Sequence, residues 1–417
     1  MSEKGALSYG PLGKLRGVNV SSYSKGMVFD PIGLQPFGPL QEEFRPFGEL
    51  SSEACIACIR SLGFNAVRLL LLLEGCYTPF GKLNWKYLDG VISIARLCNR
   101  HGLFLLIDFH QDNYSRRLGG SGLPDAFLPS HLRQSYRILP HLGESWGSQP
   151  LLDSDQAECW ISFWENQIIA PLEDWPCLPV QDLYVDCIGK VIQALQERCK
   201  IDAIDIINEP CLPEIYLARF LIMNNSHRIR QLQEFYIRAC TRLKDYNIKY
   251  LLIEPFNYDV SYITRFRLGL DGFVQKLRSV IPSLDQTRLV FAPHCYQPLG
   301  RLGPSITKIL RNHQKSMRKG GFEQMLIGEF GDTTYGRVKG HQIMREQLEA
   351  FKNNNLGWFL WEFCPTYQAN EEDSVIHYRI TGDMRAFPWN GEYCSIVYPD
   401  LEPAPIFSEV VEEFLKT

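Results

Sequence analysis

Two stretches of this sequence each deliver a glutamate at the end of a short apolar run. Ala203-Ile-Asp-Ile-Ile-Asn-Glu-Pro210 ends in Asn208-Glu209-Pro210, and Gln324-Met-Leu-Ile-Gly-Glu-Phe-Gly331 carries Glu329. Runs of this length, apolar on both faces, predict parallel strands covered on both sides. Pro210 has no N–H to give, so ladder pairing should stop near it. Two carboxyl groups presented side by side can divide the work of glycoside cleavage, one as acid/base and the other as nucleophile. Either glutamate alone reads equally well as the partner of a nearby arginine, but two in matching contexts favour chemistry.

Such residues need a scaffold that brings distant strand ends together. Strand-like and helix-like segments alternate along the whole chain. The strands are expected at Lys14 to Val20, Asn65 to Leu72, Leu103 to Phe109, Ala203 to Asn208, Lys249 to Glu254, Arg288 to Ala292, Met325 to Glu329 and Gly357 to Trp361. The helices between them include Ser51 to Ser61, Asn84 to Arg100, Trp160 to Ile168, Asp182 to Arg198, His227 to Lys244, Ser305 to Met317 and His341 to Asn353. Pro405 to Leu415 reads as a closing helix. Eight strand–helix units predict an α/β fold, a (β/α)8 TIM barrel forming a single domain with no appended β-sandwich. The rival, a doubly wound sheet, would bring a Gly-rich phosphate turn after its first strand. Here that strand is followed by Asn19-Val-Ser-Ser-Tyr-Ser-Lys25. The catalytic domain is expected over residues 1–417, with an insertion at about 110–152 and a C-terminal closing segment at about 367–417.

Composition narrows the function classes. The 417 residues carry a net charge of -4, so no basic field is built for nucleic acid. No apolar run reaches membrane-spanning length, and the N-terminus has no signal-like segment, which predicts a cytoplasmic protein, peripheral to membranes at most. The 13 cysteines are scattered and read as reduced core thiols. Cys55 and Cys58 form a C-x-x-C, but it falls inside an expected helix and has no second pair, so it reads as packing rather than metal or redox chemistry. No metal-ligand motif and no cofactor signature is present.

With the barrel drawn, polar and aromatic residues collect at one rim. Strand two carries Arg68, strand three ends in Asp108-Phe-His-Gln-Asp112, strand six in His294-Cys-Tyr-Gln-Pro298, and strand eight in Trp361-Glu362. A lone His110 or His294 is more often a structural histidine, and Tyr296 or Trp361 alone is more often core. Their shared rim is what points to a site. This set resembles glycoside hydrolase family 5: Arg68, His110, Asn208, Glu209, His294, Tyr296, Glu329 and Trp361 match the family's pattern in residue type and order. The stretch Ile107-Asp-Phe-His-Gln-Asp-Asn-Tyr-Ser115 further resembles the endoglycoceramidase and glucosylceramidase-like branch, as does Tyr393 to Pro399.

The resemblance implies Glu209 as acid/base, Glu329 as nucleophile, and Arg68, Asn208, His294 and Tyr296 as their support. It implies Lys25, His110, Asp112 and Trp361 as sugar-binding positions. It implies a retaining β-glycosidase acting on a glycolipid, with a glucanase or mannanase acting on polysaccharide as the alternative. A catalytically inactive carbohydrate-binding barrel is the alternative of another class. The expected partner is a glycolipid or oligosaccharide, with transient membrane-surface contact. The apolar residues of Cys211 to Ser226, among them Leu217 and Leu221, read either as a helix on the barrel wall or as an apolar lip for the lipid.

Overall fold

The computed structural model describes residues 10–20, 43–118, 120–134, 153–169, 171–216, 226–256, 270–297, 304–331, 338–365, 395–398 and 400–416. Eight parallel strands run in sequence order and close on themselves: β1 (Arg16–Val20), β2 (Ala66–Leu72), β3 (Phe104–His110), β4 (Ala203–Asp205), β5 (Tyr250–Ile253), β6 (Leu289–Phe291), β7 (Gln324–Phe330) and β8 (Gly357–Leu360). Closure is made by β1 and β8, where Gly17 faces Phe359. This is the (β/α)8 barrel expected from the alternating units.

The two-residue period of a strand explains where the polar residues go. On β2, Val67, Leu69 and Leu71 pack outward with the helices, while Ala66 packs in the barrel interior; on β3, Leu105, Ile107 and Phe109 face out and Leu106 faces in. Arg68, Asp108 and His110 share the parity of the inward residues. The lower interior is filled by Leu12, Leu15, Ala66, Leu106, Leu252, Leu326 and Phe359, among others. The polar residues therefore stack above an apolar plug and are pushed toward the carboxyl ends of the strands. Gly17 permits that plug. A Cβ there would sit 2.2 Å from the Phe359 ring, so only glycine lets the ring fill the barrel beside β1.

Around the barrel lie α1 (Ser52–Ser61), α2 (Leu73–Cys76), α3 (Trp85–Arg100), α4 (Ser154–Trp164), α5 (Val180–Gln196), α6 (Pro213–Tyr216), α7 (Ser226–Leu243), α8 (Phe273–Val280), α9 (Ile306–Gly320) and α10 (Val338–Asn353). A π-turn over Phe407–Val411 leads into α11 (Glu412–Leu415), which returns to α10 through the Arg345–Glu413 ion pair at 2.7 Å. Capping decides several boundaries. Asn84 accepts from the Tyr87 N–H, and Asp153 accepts from those of Asp155 and Gln156. The Asp153 cap starts α4 six residues before the expected Trp160. Asn166, at φ 50°, ends it, and Ile168 instead bridges Pro179.

Strand β4 is shorter than expected. Its ladder stops at Asp205, not near Pro210; the Asn208 N–H still donates to the Phe109 carbonyl at 3.1 Å, and Glu209 follows at a φ of 44°. The Cys55 and Cys58 side chains lie on α1. Cys55 is buried, its thiol pushed up to about 12 by burial, and Cys58 faces the Leu401 carbonyl. The described part of the expected 110–152 insertion forms short 3-10 turns tied by Arg116 to Glu74 and by Arg117 to Asp125. Lys25, Leu217, Leu221 and most of the expected closing segment lie outside the described residues. Among the described residues no helix is long and apolar enough to cross a membrane.

Candidate active site

The site is built on Arg68, which is fully buried on β2. Its Nη1 donates to Glu329 Oε1 at 2.5 Å and to Asn19 Oδ1 at 3.0 Å. Its Nη2 donates to Asn208 Oδ1 at 2.8 Å and Asp205 Oδ2 at 3.0 Å, and pairs with Asp108 at 3.1 Å and Glu254 at 3.5 Å. Burial alone would drive the charge off this guanidinium. Asp108, Glu329, Asp205 and Glu254 outweigh it and hold the proton on well above the ordinary arginine range.

Glu329, at the end of β7, is gripped from two sides. Arg68 reaches one oxygen, and the Tyr296 hydroxyl donates to the other at 3.0 Å. His294 Nδ1 stands 3.4 Å from that second oxygen. Donors converging on both oxygens favour the ionised carboxylate. A backbone bridge between His294 and Glu329 fixes the two strand ends against one another.

Glu209 leaves β4 with its main chain pinned at both ends. Its N–H donates to Glu254 Oε2 at 2.9 Å, and its carbonyl accepts from Gln111 Nε2 at 3.1 Å. The Gln111 amide also reaches the Asn208 carbonyl, and Asn208 Nδ2 donates back to the Gln111 carbonyl. Such over-determination is what a non-glycine residue at positive φ needs. The Glu209 side chain is 27% exposed against 6% for Glu329, so the first opens to the mouth and the second lies deeper. Glu209 Oε1 meets His294 Nδ1 at 2.7 Å. Desolvation raises the Glu209 pKa, His294 opposes this, and the nearby Glu329 and Glu254 add to it; the net direction is upward. Oxygens of Glu209 and Glu329 and a ring nitrogen of His294 all lie within 4.8 Å of one another.

His294 is ringed by carboxyl groups. Burial would lower its pKa, but Glu254, Glu329 and Glu209 reverse that and raise it well above the ordinary histidine range. Asp205 is also shifted upward: burial, then Glu254, raise its pKa, Arg68 opposes them, and Asp108 adds to the rise. A third group of contacts lines the neighbouring wall. His110 lies between Asp108 Oδ2 at 2.7 Å and Asp112 Oδ2 at 3.1 Å, and its ring stacks on Trp361 at 6.1 Å between centroids. Trp361 packs with Leu70 and Tyr296 and is 2% exposed. The Trp361–Glu362 peptide is cis.

The structure thus brings Arg68, Asn208, Glu209, His294, Tyr296 and Glu329 into one hydrogen-bonded group, with His110, Asp112 and Trp361 beside it. Sequence reasoning assigned no role to Asn19, Asp205 or Glu254. A signal for Glu254 does exist: strand five ends in Ile253-Glu254-Pro255, the same Glu-Pro ending that closes the strand carrying Glu209. Three sets of side chains in this group have metal-ligand spacing, Asp108/His110/Glu329, Asp205/Glu254/His294 and Glu209/His294/Glu329. Arg68 pairs with Asp108, Asp205, Glu254 and Glu329 of these sets and already supplies positive charge among them.

A parallel eight-stranded barrel with two carboxyl groups converging at the carboxyl ends of strands four and seven is the architecture of a barrel glycosidase. The profile of the cellulase family, glycosyl hydrolase family 5, matches residues 35–366, and the chain belongs to that family. It is 22% identical to endoglycoceramidase I of Rhodococcus hoagii (strain 103S) over 345 residues, 77% of this chain and 62% of that one. It is 24% identical to an endoglycoceramidase of Cyanea nozakii over 331 residues, 74% of this chain and 60% of that one. The chain therefore spans about 60% of the length of these curated relatives. Among solved structures it is similar to endo-glycoceramidase II from Rhodococcus sp., with a TM-score of 0.64, 17% identity and coverage of 96% of this chain and 77% of that one.

Proposed function

We propose that this chain is a retaining β-glycosidase that hydrolyses a glycolipid, a glycosylceramide or similar β-glucoside, through a covalent glycosyl-enzyme. The observation that carries this reading is the close approach of the two carboxyl groups, one oxygen of Glu209 lying within 4.8 Å of one oxygen of Glu329. Retaining enzymes place them about 5–5.5 Å apart, whereas inverting enzymes leave room for a water between them. A Glu329 oxygen attacks the anomeric carbon while Glu209 gives its proton to the departing oxygen. The bond from carbon to that oxygen breaks and a glycosyl ester forms. The ester removes the Glu329 charge, and with it one of the causes that raise the Glu209 pKa. Glu209 then takes a proton from water, which attacks the same carbon and releases the sugar.

The remaining roles follow from reach. Asn208 spends its oxygen on Arg68 and one amide hydrogen on Gln111, which leaves one hydrogen for a sugar hydroxyl. His110, Asp112 and Lys25 are assigned to the hydroxyls of the bound sugar, and Trp361 to its apolar face. The glycolipid reading is supported by the names of the curated relatives. The family's own description as cellulase favours a second substrate, a β-linked polysaccharide.

The test joins mechanism and substrate. Glu329→Gln should abolish turnover with the fold intact. Glu209→Ala should spare an aryl β-glucoside relative to natural substrates, and added azide should yield the glycosyl azide of retained configuration. An inverted azide product would reverse the two roles. Release of sugar from a panel of glycosylceramides, set against cello- and manno-oligosaccharides, separates the substrate readings, and cleavage of the oligosaccharides alone would defeat the glycolipid assignment.

A further inference from the structure

Glu254 directly follows β5, is 2% exposed, and no step of the reaction above uses it. We propose that Glu254 is the positioning residue of the acid/base, pinning the Glu209 main chain with one carboxylate oxygen and orienting His294 against the Glu209 side chain with the other. This rests on the reading of Glu209 as acid/base. The Oε2 atom accepts the Glu209 N–H at 2.9 Å, and Oε1 stands 3.2 Å from His294 Nε2. The opposite ring nitrogen, Nδ1, meets Glu209 Oε1 at 2.7 Å. One carboxylate thus controls both the backbone that aims Glu209 and the ring that touches its oxygen. Glu254 is itself held: the Tyr236 hydroxyl on α7 donates to its carbonyl at 2.9 Å and accepts from its N–H at 3.1 Å.

A bland alternative is that Glu254 only balances Arg68. Their separation of 3.5 Å is the longest of the four Arg68 ion pairs, longer than the Glu254 contacts with the Glu209 N–H and with His294 Nε2. Geometry therefore ties Glu254 more closely to Glu209 and His294. At 3.2 Å Glu254 Oε1 and His294 Nε2 make an ion-pair contact without an aligned hydrogen bond, and a carboxylate oxygen that close favours a proton on Nε2. Nδ1, 2.7 Å from Glu209 Oε1, then shares the acid proton with Glu209. The groups facing this pair are Glu254 from β5, Glu329 from β7, Asp205 from β4 beside Glu254, Arg68 from β2, and His313 from α9, which meets the His294 backbone. Glu254 contacts both members directly, through the Glu209 N–H and His294 Nε2.

Glu254→Gln keeps the shape and an oxygen for the Glu209 N–H but removes the charge. Taking an anion from beside a proton-sharing pair makes its proton easier to lose. The alkaline limb of the kcat/KM profile for a substrate with a poor leaving group should therefore move to lower pH by about one unit or more. The limb for an activated aryl glycoside, whose departure needs no proton, should stay in place. A merely structural role would lower the rate at every pH and leave both limbs unmoved, and that result overturns the proposal. The wild-type protein offers a second measurement, independent of whether the variant folds. Ring-nitrogen NMR, assigned with His294→Gln, should show His294 Nε2 protonated throughout the active pH range, and an unprotonated Nε2 overturns the proposal. Successful azide rescue of Glu209→Ala with an unmoved limb would defeat this inference alone. Failure of that rescue would defeat the acid/base reading beneath it.

Discussion

Arg68 sits among Asp108, Asp205, Glu254 and Glu329 with no exposure to water, so its worth lies in what would be stranded without it. Removing one partner of a buried charge network leaves the others uncompensated, at a cost of about 3–5 kcal/mol. Arg68→Met should lower the unfolding free energy by about that amount in urea titrations and eliminate turnover. Arg68→Lys separates charge from geometry. A lysine restores a point charge but cannot donate at once to Glu329, Asn19, Asp205 and Asn208 as the guanidinium does. It should recover folding more fully than kcat. Wild-type kcat in that variant would mean that Glu329 needs only a nearby positive charge.

At the level of elements, the strand ends are precise because the barrel beneath them is tightly filled. Gly17 on β1 lies against the Phe359 ring of β8, which is fully buried and cannot swing aside. Gly17→Ala should destabilise the barrel by about 1–3 kcal/mol through overpacking, read as a lower midpoint in urea with an unchanged slope. Adding Phe359→Leu should recover part of the loss, because the smaller side chain makes room for the new methyl. A double variant no more stable than the sum of the two singles would show that the Gly17 contact is not the source of the strain. On the other side of the site, Gln347 of α10 donates to the carbonyls of Cys295 and Gly331 at 3.1 and 3.3 Å. A helix outside the barrel thereby joins the segment carrying His294 and Tyr296 to the one carrying Glu329.

For the molecule as a whole, acid stability turns on a buried histidine. His313 of α9 packs near Phe291, and burial, then the charge on His294, lower its pKa to about 4. Unfolded, it titrates near its ordinary value of about 6.5. Between those values the unfolded chain binds the extra proton, so stability rises with pH across the window and is lost as pH falls through it. The contribution is on the order of 3 kcal/mol when fully expressed. Carboxyl groups with raised pKa values, Asp205 and Glu209, give the opposite slope, so the comparison is with His313→Gln, in which they are retained. The stability difference between wild type and variant should shift in favour of wild type as pH rises from about 4 to 6.5. A constant difference across that range would remove His313 as the cause.

How much of this was legible in the chain follows from the range of the interactions involved. Periodicity, breakers and caps are local, so the eight alternating units and the rim residues Arg68, His110, Asn208, Glu209, His294, Tyr296, Glu329 and Trp361 could be read by themselves. The strand parity that sends Arg68 and Asp108 inward is also local. Pairings are not. Glu209 finds Glu254 across 45 residues and Arg68 finds Glu329 across 261, and nothing in the intervening sequence says so before the barrel closes. Glu254 therefore passed as the end of a core strand, and Asp205 as one residue of a buried run. Boundaries set by long-range contact were likewise hidden: β4 ends at Asp205, and Gln111 and Glu254 hold Asn208 and Glu209 in the rim beyond it. Local pattern is enough to say which residues reach the carboxyl end of the barrel. Their partners are settled by the closed barrel, because charge and hydrogen bonding act over a few ångströms in space, whatever the distance along the chain.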